Sequence, residues 1–254
     1  MKVEIIPCLN DNFSFLIFDE DKKIGCVVDP SEAKPVIKVI EKNNIDLKYI
    51  LITHHHHDHV GGNKELKKKY KSKVIGFNKD KNRIPEIDIC VIDNQNWIED
   101  SFKFKVFHIP GHTSGHICFY FYEEKIVFTG DTLFSLGCGR VFEGTHKQMF
   151  DSLNKIKNLP LDTKIYCGHE YTLQNSLFCK TYDGKNLKLK DKIIRVKEKL
   201  NKGLPSIPTI LRDEIECNIF LKAKDIESFS KLRVLKDNFW FIALDYNNAA
   251  TILR

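Results

Sequence analysis

The sequence predicts a layered α/β domain followed by a smaller, mostly helical region, and three observations carry that reading. Short β-branched and aromatic runs alternate with amphipathic helical segments over the first two-thirds of the chain. After about residue 172 the strand-like runs give way to long, lysine-rich helical segments. All ten histidines lie between His54 and His169, so the chemistry-bearing residues belong to the first region and not to the second. The chain is accordingly divided into residues 1–172 and 173–254.

Taken in order, residues 2–6, 13–18 and 24–28 are closely spaced strands, as in a meander. A helix over 34–43 leads to a buried strand, 47–52, and a second helix over 61–70. Strands follow at 73–76, 103–107, 117–122 and 125–129. The helix over 146–157 has a capping box, Thr145 with Gln148, and continues through Phe150, Leu153 and Ile156. A strand at 163–167 ends the first region. Helices over 173–202 and 223–236 make up the second, separated by the breaker Gly203-Leu204-Pro205-Ser206-Ile207-Pro208.

Composition narrows the class. With 254 residues, 42% hydrophobic and 29% charged, the chain can bury a sizeable core without metals as structural staples. The net charge of +6 is concentrated in the second region, at Lys185, Lys188, Lys190, Lys192, Lys197, Lys199 and Lys202. Such a surface suits an anionic small molecule, although a solvated helix face accounts for most of these lysines. No basic-aromatic platform for nucleic acid is evident, and no obligate protein partner is implied. No apolar run approaches the ~20 residues of a membrane span. The eight cysteines are scattered without a CxxC pair, several in apolar runs such as that around Cys26. Together with the lack of a signal-peptide pattern after Met1, this leads us to expect a cytoplasmic, reducing setting.

The strand at 47–52 runs into Thr53-His54-His55-His56-His57-Asp58-His59. In extended chain, residues two apart share a face, so His54 and His56 project together while His55 and His57 point elsewhere. Imidazole nitrogen and carboxylate oxygen are ligands for zinc, iron or manganese. Three later strands end in the same way, in Gly111-His112, Gly130-Asp131 and Gly168-His169. One such ending is an ordinary turn. Four in one chain supply His54, His56, His59, His112, His169, Asp58 and Asp131, enough for two metals.

In order and spacing, these residues resemble the ligand set of the metallo-β-lactamase superfamily. That resemblance implies a four-layered αββα sandwich with the site at one edge of its two sheets. It also implies the partition of ligands: His54, His56 and His112 on one metal, Asp58, His59 and His169 on the other, and Asp131 bridging. Longer stretches are similar to the glyoxalase II (hydroxyacylglutathione hydrolase) family: Pro110-Gly111-His112-Thr113-Ser114-Gly115-His116, Phe128-Thr129-Gly130-Asp131-Thr132, Gly137-Cys138-Gly139-Arg140, Tyr166-Cys167-Gly168-His169-Glu170-Tyr171-Thr172 and Arg233 to Asp237. The resemblance implies a thioesterase that cleaves S-D-lactoylglutathione to D-lactate and glutathione. Its two divalent metals, zinc by expectation with iron or manganese as alternatives, would hold a bridging hydroxide oriented by Asp58 and Asp131. It also implies that Arg140, Arg233 and Lys236 bind the glycine carboxylate of glutathione and that Tyr171 hydrogen-bonds the tripeptide. Arg233 and Lys236, three apart on a helix, share a face.

Some positions depart from the family. Phe142 stands where relatives commonly carry a tyrosine whose hydroxyl contacts the substrate, and Ile219 stands where they often have proline. The alternative within the superfamily is a mononuclear-iron glutathione persulfide dioxygenase, which would leave part of the ligand set unused.

Overall fold

The computed structural model describes residues 1–252, with side chains described through Phe239. Its first sheet runs in the order β1 (Lys2–Cys8), β2 (Asn12–Phe18), β3 (Ile24–Val28), β4 (Asp46–Leu51), β5 (Lys73–Phe77) and β6 (Ile87–Val91). β1 to β3 are an antiparallel meander because their turns are short. From β3 onward the pairs are parallel: α1 (Ala33–Asn43) connects β3 to β4, α2 (His57–Val60) and α3 (Asn63–Tyr70) connect β4 to β5, and a crossover with a 3-10 turn at Asn78–Asp80 connects β5 to β6. The second sheet has the order β14-β13-β10-β9-β8-β7. Its strands are β7 (Asn96–Glu99), β8 (Phe102–His108), β9 (Ile117–Phe121), β10 (Ile126–Gly130), β13 (Lys164–Cys167) and β14 (Thr209–Ile210). A two-residue-per-strand hairpin, β11 (Leu133–Phe134) and β12 (Gly137–Cys138), follows β10, and α4 (His146–Lys157) crosses to β13. The helical region comprises α5 (Thr172–Asp183), α6 (Leu187–Asn201), α7 (Leu211–Cys217), α8 (Ile219–Lys222) and α9 (Ile226–Ile252).

Three apolar clusters correspond to the three spaces between four layers. Between the sheets, Phe13, Phe15 and Ile17 of β2 meet Phe119 and Phe121 of β9 and Phe128 of β10. Phe128 touches Phe15, Phe121 and Tyr166 at ring-centroid distances of 5.2, 5.7 and 5.2 Å. The alternate residues of β2, Leu16 and Phe18, face outward and pack under α1 with Val36 and Ile40. Because both faces of β2 are covered, the strand reads as a continuous apolar run and not as an alternation. The outer face of the second sheet, with Tyr120, Val127 and Ile165, is covered by α4 and by the helical region through Phe178, Phe220 and Phe229. The αββα sandwich with a helical C-terminal region is therefore present.

The elements that differ from expectation have identifiable reasons. β6 and β7 were not foreseen: β6 alternates Ile87, Ile89 and Val91 with Asp88 and Cys90, and β7 buries only Trp97. β7 therefore carries little strand signal, whereas β6 has a period-2 alternation that is only five residues long. Residues 173–202 form two helices, because the chain breaks at Gly184 and restarts with Asn186, whose Oδ1 accepts from Leu189 N–H at 3.2 Å. β14 adds a short strand from the helical region to the second sheet, antiparallel to β13. Lys192 does not belong to the solvated lysine face. It is buried and paired with Glu214. The Thr145–Gln148 capping box is formed at both ends. No helix among the described residues is long and apolar enough to cross a membrane.

Candidate metal centre

Four strand ends converge at one edge of the sandwich, where sheets with parallel strands place their ligands. β4 delivers Thr53 to His59, β8 delivers His112, β10 delivers Asp131 and β13 delivers His169. The two sheets are joined here by backbone hydrogen bonds: Ile117 N–H to Thr53 O at 2.9 Å, Phe13 N–H to Gly168 O at 2.8 Å, and Glu170 N–H to Asp11 O at 2.8 Å. Two glycines of the strand-end pattern have steric reasons. Gly130 adopts a φ of +46°. A Cβ at Gly168 would lie 2.4 Å from the Asp131 carboxylate.

The structure brings the seven predicted residues together at this edge, and Asp29, His54 and His59 form a further close group there. Potential ligand atoms of His54, His56 and His112 lie within 4.8 Å of one another, as do those of Asp58, His59 and His169. Asp131 stands between the groups. Its Oδ2 is 3.4 Å from His112 Nε2 and 3.3 Å from His169 Nε2, and its Oδ1 is 3.4 Å from His59 Nε2. His54 and His56 do project together, whereas Asp58 and His59 lie on the helical turn α2 and not in extended chain. His57 is exposed. His55 turns away towards Asp80 and Glu143, at 3.4 and 3.5 Å.

A second ring of residues, which the sequence reading did not single out, orients these ligands. His59 Nδ1 lies 3.0 Å from Asp29, His169 Nδ1 2.7 Å from Asp11, and His112 Nδ1 2.8 Å from the Arg140 carbonyl. Asn12 Nδ2 donates to Asp58 Oδ2 at 2.9 Å. His116 stacks on His54 at 4.5 Å and accepts the Asp131 N–H at 3.1 Å. Asp29 carried a usable signal, since it follows β3 as Asp131 follows β10. Asp11 in the β1–β2 turn and Asn12 at the start of β2 gave none beyond turn composition.

The residues fit a metal. His59 Nε2 and Asp131 Oδ1 are buried, face each other and have no hydrogen-bond partner among the described residues. Unpaired buried polar atoms are costly, and a cation accounts for both. The electrostatics split the site. Burial holds His54 well below the ordinary imidazole value, and burial with the neighbouring His112 pushes His56 down to about 4. Burial opposes charge on His59 and His169 too, but Asp131 and other carboxylates outweigh it and push them up to about 10 and about 11. Burial likewise opposes a charged Asp131, yet the same two histidines hold its carboxyl well below the ordinary range.

The ligand set opens into a cavity of about 470 Å³. His56, Asp58, His112, Asp131 and His169 line its floor, and Arg140, Phe142, Tyr171, Arg233 and Lys236 line its walls with Phe134, Cys138 and Gln174. All five residues implied as substrate contacts are thus brought to the ligand set. Tyr171 stacks on His169 at 4.7 Å. Arg140 and Arg233 share Asp237, at 3.2 and 2.9 Å. Arg233 is buried, and its Nη1 donates to the Cys138 carbonyl at 2.8 Å. Lys236 is buried as well, and burial followed by the Arg233 charge pushes it down to about 8.

This fold and site define a member of the metallo-β-lactamase superfamily, whose family model matches residues 10–92 and 98–169. A second model, described as the hydroxyacylglutathione hydrolase C-terminus, matches residues 170–239, and the chain belongs to the hydroxyacylglutathione hydrolase family. It is 65% identical over 239 residues to the hydroxyacylglutathione hydrolase of Pelagibacter ubique (strain HTCC1062), covering 94% of this chain and 100% of that one. The enzyme of the same name from Prochlorococcus marinus (strain MIT 9301) is 46% identical, over 90% and 93% of the two chains. Among solved structures, ETHE1 from Myxococcus xanthus superposes with a TM-score of 0.70 over 92% of this chain and 90% of that one, at 23% identity. The BLEG-1 B3 metallo-beta-lactamase gives 0.69 over 87% and 100%, at 22%. These two likenesses establish the fold. The chain is a divalent-metal enzyme.

The protonation pattern has a measurable consequence. At pH 7 metal-free His59 and His169 carry protons that a ligand must lose, whereas His54, His56 and His112 are already neutral. Filling the site at pH 7 is expected to release about two protons per chain. As pH falls, the His59/His169 half should empty first. Metal titration with a proton-release readout checks both, and loading without proton release would contradict them.

Proposed function

We infer that this enzyme hydrolyses 2-hydroxyacyl thioesters of glutathione, S-D-lactoylglutathione foremost, to the hydroxy acid and free glutathione. The observation that carries the reading is that one cavity combines a histidine–aspartate floor for the thioester with a wall bearing Arg140, Arg233 and Lys236 for an anionic carrier. The family membership and the near full-length match to enzymes of that name support it.

Two metal ions are proposed: His54, His56 and His112 for one, Asp58, His59 and His169 for the other, with Asp131 shared. Zinc is the expected ion, and iron and manganese are compatible with the same donors. When bound, such ions supply a water whose pKa is lowered towards ~7 and polarise the carbonyl under attack. Asp131 and Asp58 orient the attacking water, because their carboxylates border the position between the two ligand groups. Asn12 and Asp11 keep Asp58 and His169 in place. The departing group is a thiolate, whose parent thiol has a pKa of ~8.5, so it can leave without a dedicated proton donor. Arg140 and Lys236 attract the glycine carboxylate of the tripeptide, and Tyr171 borders its path.

The residue division is part of the same proposal: 1–172 is the catalytic domain, and 173–254 is a helical domain that adds Arg233 and Lys236 to the carrier-binding wall. It is supported by family matches that meet between residues 169 and 170. A reducing, cytoplasmic setting suits eight cysteines that all remain unpaired. The persulfide dioxygenase alternative is not favoured, because the family matches and relatives point to the hydrolase.

Purified enzyme is expected to consume S-D-lactoylglutathione, followed by loss of thioester absorbance, and to lose that activity on chelation. Asp131→Asn should lower both bound metal and turnover. Full activity in that variant would remove Asp131 from the proposed role.

Phe142 is 60% exposed at the rim, with its ring 5.2 Å from His112. Restoring the hydroxyl in Phe142→Tyr should add one hydrogen bond of ~0.5–1.5 kcal/mol and lower KM about two- to tenfold. An unchanged KM would show that this ring does not contact the carrier.

Lys236 supplies the pH dependence. Because its value is depressed to about 8, the ammonium is present below that pH and lost above it. kcat/KM should therefore fall as pH rises through about 8 while kcat changes little, since bound carboxylate restores the charge. A flat kcat/KM profile up to pH 9.5 would exclude Lys236 as a carrier contact.

A further inference from the structure

The cavity wall between Asp131 and Arg140 is a hairpin with little structure of its own, its two strands having two residues each. Its turn includes Leu136, a fully buried leucine at φ +59°. Bulky residues take that conformation only where the surroundings impose it.

The surroundings are side chains of the helical region. Asn218 Nδ2 donates to the Phe134 and Gly137 carbonyls at 3.2 and 3.0 Å. Glu214 Oε2 accepts the Leu136 N–H at 2.8 Å, and Asn175 Nδ2 donates to the Ser135 carbonyl at 3.2 Å. Asn218 and Glu214 are fully buried and bonded to each other at 3.1 Å. Glu214 Oε1 is paired with Lys192 and accepts from Thr209 at 2.7 Å, while Asn218 Oδ1 accepts the Phe220 N–H that opens α8. The hairpin backbone is thus bonded mainly to a polar network some eighty residues later in the chain.

Both feet of the hairpin stand in the site. One is Asp131. The other is Arg140, whose carbonyl accepts from His112 Nδ1 at 2.8 Å and whose side chain lines the cavity. The feet are tied by Gly139 N–H to Thr132 O at 3.1 Å, and a Cβ at Gly139 would meet the Asp131 carbonyl at 1.9 Å. Displacement of the hairpin backbone is therefore transmitted to the wall that Phe134, Cys138 and Arg140 present to substrate.

We infer that Asn218 and Glu214 are positioning residues for the reaction: through the backbone of residues 134–137 they set the substrate-facing wall of the cavity. This rests on the thioester reading above. Neither residue touches the cavity, so their effect passes through the hairpin. A purely structural role would reduce stability and leave the folded enzyme with its normal KM.

The test compares metal-loaded Asn218→Ala and Asn218→Asp, which both remove the Nδ2 donor to the hairpin and of which the second keeps the Oδ1 that caps α8, with Leu66→Ala, a core truncation under the first sheet. In both asparagine variants KM for S-D-lactoylglutathione should rise about tenfold, with kcat within about twofold and metal content unchanged. Amide exchange at Leu136 and Gly139 should quicken about tenfold, while β4 amides keep their protection. Leu66→Ala should lower thermal stability and change neither readout. A normal KM in both asparagine variants overturns the inference, whether or not exchange changes, and so does an equal KM shift in Leu66→Ala. If the wild-type enzyme does not turn over the thioester, the proposed function falls and exchange alone decides: unchanged protection in both variants overturns the role of the network, and local loss supports it.

Discussion

A single buried carboxylate constrains the rest of the molecule. Asp131 lies within 3.4 Å of imidazole nitrogens on His59, His112 and His169, which arrive on three different segments. A carboxylate at that depth is tolerated only with compensating charge close by, so those segments must end at one point. The joining of the two sheets at this edge, the φ of Gly130 and the missing side chain of Gly168 are the backbone conditions for that convergence. His59 Nε2 and Asp131 Oδ1 at its centre face each other without a hydrogen bond, so the protein alone does not complete the arrangement. A cation does.

The same constraint explains why so much of the site was readable from sequence. A ligand at a strand end must be polar where an apolar run stops, and it needs a tight turn to face inward. Both requirements leave local marks, as in Gly130-Asp131 and Gly168-His169. The sandwich was readable because strands covered on both faces are continuously apolar, as β2 is. What escaped lacked such marks. β7 is a polar edge that buries only Trp97, and β6 is a short edge strand. Asn12, Asp11 and Asp29 act through hydrogen bonds to a ligand, and a hydrogen bond between residues far apart in sequence has no local pattern. Lys192 was grouped with solvated lysines because its burial depends on Glu214, which folding brings to it.

Charge links the helical region to the site. Arg140, Arg233 and Lys236 are cations around one cavity, with one carboxylate, Asp237, shared between the two arginines. Arg233 has its Nη groups occupied by Asp237 and the Cys138 carbonyl, so its contribution to an anionic ligand is mainly its field. Arg140, half in solvent, and Lys236, depressed by burial, gain most from an incoming carboxylate: the first exchanges a shared partner, and the second recovers a charge that burial disfavours. On the proposed reading, relief of desolvation contributes to recognition of a carrier's anionic end as much as direct pairing does. The metal floor is indifferent to the carrier and would serve many esters. On the proposed reading selectivity comes from this wall, to which the helical region contributes Arg233, Lys236 and the hydrogen bonds that fix the hairpin carrying Arg140.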